Sequence, residues 1–454
     1  MAKPALPKGT RDFTPLESLR RKYIFDTIEN VFRQYAYLPI ETPAMEALET
    51  LMGKYGDEGD KLLFKILNNG DFLEKADQKA LLEKNSSRLA SSIAKRGLRY
   101  DLTVPFARFV VMHQHEIQLP FKRYQIQPVW RADRPQKGRY QEFYQCDVDV
   151  VGSDSLLYEA ELIQIYDTVF RRLGIDVIIK LNNRKVLFGI AEAAGVADKF
   201  VDMTVAIDKL DKIGKEKVAE EFQIRGISDE AVRKIFMLIE STDIDDIARH
   251  FAADSVGSKG VGELKQVLSF LGDNRPDGLK IDFTLARGLS YYTGCIFEVV
   301  ADPGTYPSLS MGSIGGGGRY DDLTGSFGLR GVSGVGVSFG AERIYDVMAE
   351  LDIFPKETIG SVKLIFLSAN EACLIKSFEY AGKLRNKGIS TDVYPSAVKL
   401  ARQLKYTNDR AIPYAAILGE EELENQQITL KNMASGEQKM LSFEELENEL
   451  LPPE

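Results

Sequence analysis

The 454-residue chain predicts an α/β protein built around an α+β core, and three observations carry that prediction. Two runs of alternating apolar and polar residues, YQIQPVWRA and QEFYQCDVDVVG, flank the polar segment DRPQKGRY and read as two strands joined by a long hairpin loop. Amphipathic helices separate such strand-like runs, as in DSLLYEAELIQIYDTVFRRLG, which has an acidic start and a glycine stop. After DIFPKETIG the runs SVKLIFLSA, EACLIKSFEYAGKLRNKG, ISTDVYP, AVKLARQLKYTNDRA and IPYAAILG alternate strand and helix. They read as a compact α/β unit of about 90 residues.

The elements follow in order. From Leu19 to Tyr35 the residues Tyr23, Ile24, Ile28, Val31, Phe32 and Tyr35 recur at helical spacing. Pro39 and Pro43 in YLPIETPAME end that helix and force extended backbone. The hairpin comes next, then the helix Asp154–Gly174 and the strand IDVIIKLNN. From Arg184 to about Leu271 helical patterns dominate. Glycine-rich, strand-like sequence resumes in LKIDFTLARGLSYYTGCIFEVV and runs through MGSIGGGGRYDDLTG to GVSGVGVSFGAERIYDVMAEL. The expected organisation is therefore a first core part over 1–183, a helical insertion over 184–272, a second core part over 273–353 and a final domain over 360–454.

The formal net charge of −9 excludes indiscriminate nucleic-acid binding while leaving room for a local basic surface. Cys146, Cys295 and Cys373 are far apart with no CxxC, so neither a disulfide framework nor a zinc site is expected. His113 and His115 lie two apart, which on a helix puts them on different faces, and His250 is remote; no metal site is expected. No apolar run approaches the roughly 18 residues that span a bilayer, and MAKPALPKGTRDF lacks the apolar core of a signal peptide. A cytoplasmic protein with no membrane partner is the expectation.

The Walker pattern is absent, and GVGVSFG has the wrong spacing for a dinucleotide loop. A bound nucleotide would need arginines, whose paired donors match phosphate oxygens. Arg131, Arg134, Lys137 and Arg139 fall within nine residues of the hairpin. Alone, such a loop is most simply a solvated basic turn. Arg287, however, is followed by a glycine, Leu289, Ser290 and two tyrosines in TLARGLSYYTG, a poor choice for a solvent-facing strand. Arg343 sits where a glycine-rich strand turns into a helix, a position that favours anions.

These segments carry a resemblance. WRADRPQKGRYQEFYQ, YLPIETPAME and GVGVSFGAERI resemble the second, first and third signature motifs of class II aminoacyl-tRNA synthetases. LARGLSYYTG, with PKGTRDF, LRYDLTVPFARF and GGGGRYDDL, is similar to the histidyl-tRNA synthetases specifically. The resemblance implies an antiparallel catalytic sheet flanked by helices, a mostly helical insertion and a C-terminal anticodon-binding domain. It also implies ATP-dependent activation of L-histidine and transfer to tRNA(His), with Mg2+ arriving with ATP, in a homodimer.

The same resemblance assigns roles. Arg131 and Arg287 flank the α-phosphate as the catalytic pair; Arg139 and Arg343 also hold ATP, and Phe143 stacks on adenine. Asp101, Thr103 and Gln145 take the ammonium group, Asp149 and Tyr292 the imidazole, and Arg287, Tyr291 and Tyr320 complete the histidine site. Arg134 and Gln136 touch the tRNA acceptor end, and Lys399, Arg402 and Lys405 make a basic stripe near Tyr406 and Arg410. Each has an ordinary structural explanation: a helix cap for Asp101, a water-facing edge carboxylate for Asp149, a flexible turn for IGGGGRYDD, a solvated helix face for the lysines. Ser290 replaces an acid common in the family, and Asp101 is one methylene shorter than the glutamate of another branch. The alternative function is a histidine-binding regulatory subunit of the same fold that charges no tRNA.

Overall fold

The computed structural model describes residues 3–52, 62–136, 138–286, 291–321, 323–355 and 362–451. The chain divides into two compact units, Met1–Phe13 with Arg21–Ile353, and Thr14–Arg20 with Phe354–Glu454.

The strands of the first unit are β1 Leu38–Pro39, β2 Met45–Ala47, β3 Lys65–Ile66, β4 Arg96–Leu98, β5 Phe121–Trp130, β6 Glu142–Val151, β7 Val177–Asn183, β8 Leu279–Ile281, β9 Cys295–Ala301, β10 Gly315–Tyr320 and β11 Gly334–Gly340. β2, β3 and β4 form a small sheet, and the other eight form one large sheet in the order β1-β5-β6-β11-β10-β9-β7-β8. Its neighbours are antiparallel except at the two edges, where β1 pairs with β5 and β7 with β8 in parallel. β5 and β6 are the expected hairpin, in register from Phe121↔Val151 to Trp130↔Glu142.

Side-chain alternation gives this sheet two unlike faces. Cys146, Val148 and Val150 of β6 and Val335, Val337 and Phe339 of β11 are all buried on the back. There Phe339 meets Phe32 of the helix Pro15–Gln34 at 5.7 Å and Tyr166 of the helix Leu157–Leu173 at 4.7 Å between ring centroids. Gly174 closes the latter helix in the left-handed conformation, as its sequence predicts. A bidentate ion pair also ties that helix to β10: Arg319 Nε and Nη2 lie 2.5 and 2.7 Å from the Glu159 carboxylate oxygens, and both side chains are buried. The front face carries Arg123, Gln125 and Gln127 of β5, Gln145, Asp147 and Asp149 of β6, and a row of glycines on β10 and β11.

IGGGGRYDD is therefore not a flexible turn. Gly315–Tyr320 is an interior strand paired on both sides, and its missing side chains are what the packing requires. A Cβ at Gly318 would lie 2.7 Å from the Tyr292 ring, and one at Gly334 would lie 2.4 Å from the Tyr320 ring. The helical run after Arg184 is uneven in its packing. Its first and last helices, Arg184–Ala193 and Val256–Leu271, pack on each other, and the latter also lies against β7 and the helix Leu157–Leu173.

In the second unit β12 Leu364–Ser368, β13 Thr391–Val393, β14 Tyr414–Leu418, β15 Ile428–Asn432 and β16 Gln438–Leu441 form a five-stranded sheet ordered β13-β12-β14-β15-β16. Leu364 and Phe366 pack on one face with Tyr380, Leu384 and Leu446, while Ile365 and Leu367 pack on the other with Tyr394 and Leu404. The antiparallel pair β15–β16 and the helix Phe443–Leu450 extend the predicted alternation.

Candidate active site

The long hairpin loop is held from behind by the N-terminal segment. Gln141 N donates to Gly9 O at 2.9 Å, and the Arg11 guanidinium lies 4.2 Å over the Tyr140 ring, whose hydroxyl donates to Asp346 at 3.0 Å. Glu342, buried at the start of the helix Ala341–Glu350, accepts from Tyr144 N at 3.0 Å and from Arg21 at 2.8 Å. These contacts fix the loop relative to the sheet's front face.

Above that face lies a cleft of about 210 Å³ whose lining includes Arg131, Arg139, Phe143, Gln145, Ser338 and Arg343. Three guanidinium groups from two separate stretches of chain thus meet at one cavity. Arg131 Nε donates to Tyr100 O at 2.9 Å, with its guanidinium 5.1 Å from the Phe143 ring centroid. Arg343 donates to Gly138 O at 2.9 Å and Ser313 O at 2.5 Å. Burial, and then repulsion from Arg139 and Arg131, lowers the Arg343 pKa from its ordinary value. A cavity in which cations repel one another is preorganised for an anion.

Next to this cleft the front face is acidic. Asp149 is buried on β6, between β5 and β11, and so is not a water-facing edge carboxylate. Its Oδ2 pairs with Arg123 Nη2 at 2.8 Å and its Oδ1 accepts from the Tyr320 hydroxyl at 2.6 Å. Burial and the Asp149 charge push the Tyr320 ionisation well above its ordinary value, so Tyr320 is a neutral donor to that carboxylate. Tyr292 is buried and accepts from the Tyr291 hydroxyl at 3.1 Å. Asp101 makes the contact of a helix cap, its Oδ1 accepting from Val104 N at 3.3 Å, and is buried. Thr103 opens the helix Thr103–Met112 in a half-buried position.

Arg134 and Gln136 are exposed on the hairpin loop, with Gln136 bridged to Arg139. Arg139 also pairs with Asp133 at 3.1 Å. Lys399, Arg402 and Lys405 are exposed at and along the helix Leu400–Asp409, where Lys405 pairs with Asp409. Arg287 and Lys137 lie outside the described residues. Ser338 lines the cleft, and Arg123 and Asp147 lie on the same front face, although the sequence reading did not assign them. Their signal was present in Arg123, Gln125 and Gln127, polar at every second position of a strand facing Gln145, Asp147 and Asp149 in register.

Among the described residues no group of three or more His, Cys, Asp or Glu side chains can hold a metal ion. No helix among them is long and apolar enough to cross a membrane.

Comparison with known proteins identifies the family. Residues 9–344 match the family model for histidyl-tRNA synthetase, and residues 362–451 match that for an anticodon binding domain. The histidine–tRNA ligase of Bacteroides fragilis (strain YCH46) is 55% identical, with 98% of both chains covered. That of Christiangramia forsetii is 52% identical, with 99% of both covered. The crystal structure of histidyl-tRNA synthetase from Nostoc sp. PCC 7120 superposes with a TM-score of 0.84 at 28% identity, over 99% of each chain. A protein from Bacillus halodurans titled an ATP phosphoribosyltransferase regulatory subunit/histidyl-tRNA synthetase shares the fold at 18% identity and a TM-score of 0.70, over 92% of this chain and 98% of its own. A front face shaped for an anion beside a buried carboxylate, carried by a sheet of this topology, thus coincides with full-length similarity, and the chain belongs to the histidyl-tRNA synthetase family.

Proposed function

We propose that the chain activates L-histidine with ATP to histidyl-adenylate and transfers the histidyl group to tRNA(His). The observation that carries this reading is the meeting of Arg131, Arg139 and Arg343 at one cleft, beside the Arg123–Asp149–Tyr320 cluster. Attack of a carboxylate on an α-phosphate builds charge on a crowded anionic centre, and fixed guanidinium groups stabilise it without reorganising. The attacking carboxylate is already ionised at neutral pH, so no general base is needed in this step.

In this assignment Arg131 and Arg287 hold the α-phosphate, Arg139 holds ATP, Arg343 meets the γ-phosphate or the adenine face, and Phe143 stacks on the adenine. Mg2+ enters as part of the ATP substrate. Gln145, Asp101 and Thr103 receive the ammonium group. Asp149, through its hydrogen-bonded pair with Tyr320, and Tyr292 with Tyr291 meet the imidazole; a side chain lacking imidazole nitrogens leaves buried polar groups unpaired and is rejected for that reason. Arg134 and Gln136, exposed on the loop, face the acceptor end of tRNA(His). Residues 1–183 and 273–353 make the catalytic core, 184–272 the insertion and 360–454 the domain that meets the anticodon.

A cytoplasmic homodimer completes the reading, and sedimentation of the pure protein tests its dimeric state. The function itself is tested by histidine-dependent ATP–pyrophosphate exchange followed by charging of tRNA(His). Exchange and charging together are the expected result. Histidine binding with neither activity would identify a regulatory subunit instead.

A further inference from the structure

One buried acid of the front face has no role in the assignment above. Asp147 lies between Gln145 and Asp149 on β6, is 3% exposed, and forms no ion pair among the described residues. Gln145 Nε2 donates to Ser338 Oγ at 3.1 Å and lies 3.4 Å from Asp147 Oδ1. With its NH2 end committed to Ser338 and Asp147, the amide leaves Oε1 buried and without a hydrogen-bond partner among the described residues. Gln145 and Ser338 line the cleft, and Asp147 lies beside them on the same face, paired in register with Ser338.

The charges around Asp147 come from every neighbouring element. β5 supplies Arg123 and the neutral Gln125; β6 supplies Asp149, and β11 supplies Ser338. Tyr320 of β10 reaches Asp149 rather than Asp147. Asp101 adds negative charge from the segment before the helix Thr103–Met112, and Arg99, next to β4, directs its donors to Thr42, Pro43, Gln127 and Pro128. Arg123 makes its direct ion pair with Asp149, which leaves Asp147 with the field of Arg123 but no ion pair of its own among the described residues. Burial, reinforced by Asp149 and Asp101 and opposed by Arg123 and Ser338, raises its pKa to about 7.

We propose that Asp147 is a positioning residue for the α-ammonium group of the amino-acid substrate: it fixes the Gln145 amide by its NH2 end, leaving the amide oxygen unpaired, and provides the buried counter-charge that the ammonium completes. An ammonium brings three donors and one positive charge, and the pocket lacks a partner for one amide oxygen and a cation for one carboxylate. With its pKa raised to about 7, Asp147 is in part the neutral acid near neutral pH. When the ammonium arrives, the Asp147 O–H bond breaks, the carboxylate remains beside the new cation, and the proton leaves to solvent. Histidine binding near neutral pH is therefore coupled to release of a proton that does not come from the substrate's own imidazole.

The inference rests on the proposed histidine-activating function, which wild-type exchange activity tests before any variant is made. The test compares Asp147→Asn with the wild type by titration calorimetry of L-histidine at pH 7, in two buffers of different protonation enthalpy, and by steady-state exchange. The substrate's imidazole contributes alike to both proteins, so the difference in protons isolates Asp147. The variant should release fewer protons, by up to about half a proton per site at pH 7, and raise the KM for histidine about 10- to 100-fold, with kcat and the KM for ATP within about threefold. An equal proton count with a KM for histidine within about twofold of wild type would overturn the proposal. Should Asp147→Asn melt below the assay temperature, Asp147→Ser, which leaves room for water, carries the same comparison with the same outcomes.

Discussion

The Tyr320 hydroxyl sits 2.6 Å from Asp149 Oδ1, joining two strands that are not neighbours, since β11 runs between β10 and β6. The contact spans β11 only because Gly334 and Gly336 leave no side chains in its path. Tyr320→Phe keeps the ring and removes the donor to a buried carboxylate. Loss of one hydrogen bond to a charged group costs roughly 1.5–3 kcal/mol. Steady-state exchange should therefore show a KM for histidine raised by roughly tenfold or more, with the KM for ATP little changed.

Gly336→Ala tests the same geometry from the backbone. A Cβ there would lie 1.9 Å from Asp149 Oδ1, so the carboxylate must move away from Arg123 and Tyr320. Displacement by about 1 Å costs on the order of 100-fold in a site of this kind. Histidine-dependent exchange should fall by at least that factor while ATP binding, measured by equilibrium dialysis, persists.

Arg343 offers a chemically different test. Its guanidinium is held by two carbonyls, Gly138 O and Ser313 O, and faces Arg131 and Arg139. Arg343→Ala should raise the KM for ATP by about 10- to 100-fold, the worth of one charge-assisted contact. Arg343→Lys should not restore it, because a lysine cannot occupy both carbonyls and still present a planar donor pair to phosphate. Recovery to within twofold in the lysine variant would refute that explanation.

Burial holds the Asp147 pKa up at about 7, well above that of an ordinary carboxylate. A raised acid of this kind contributes stability below the lower value and loses it as pH rises through the upper one. Without histidine, wild type and Asp147→Asn should thus unfold with similar free energies near pH 4. Above pH 7 the asparagine variant should be the more stable, on the order of 1–3 kcal/mol. Urea titrations at the two pH values measure the difference, and a variant less stable at high pH would contradict it.

Arg402 is exposed on the helix Leu400–Asp409 of the second unit. If this face meets the anticodon arm, Arg402→Glu should raise the KM for tRNA(His) by roughly tenfold, more steeply at low salt. Exchange, which involves no tRNA, should hold. Charging at wild-type efficiency would leave this face solvated.

Much of this architecture was legible from residue patterns. Alternation in YQIQPVWRA and QEFYQCDVDVVG located the hairpin, and Gly174 located a helix end, because both signals are local. What stayed hidden depended on distant partners. Arg319 and Glu159 lie 160 residues apart and meet only through the packing of a helix on the sheet. The glycine run of β10 has low strand propensity, and its place as an interior strand comes from pairing with β9 and β11. Asp101 shows the converse: its cap contact follows from local sequence, while its distance from a substrate does not.

The glycines at 316, 318, 334 and 336 give the trough a floor of bare main chain. Such a floor cannot be trimmed to admit a bulkier amino acid, and methyl groups added at 318, 334 or 336 would strike Tyr292, Tyr320 and Asp149. Efforts to retarget this enzyme to an enlarged histidine analogue must therefore work on the walls, at the tyrosines, and leave the floor alone.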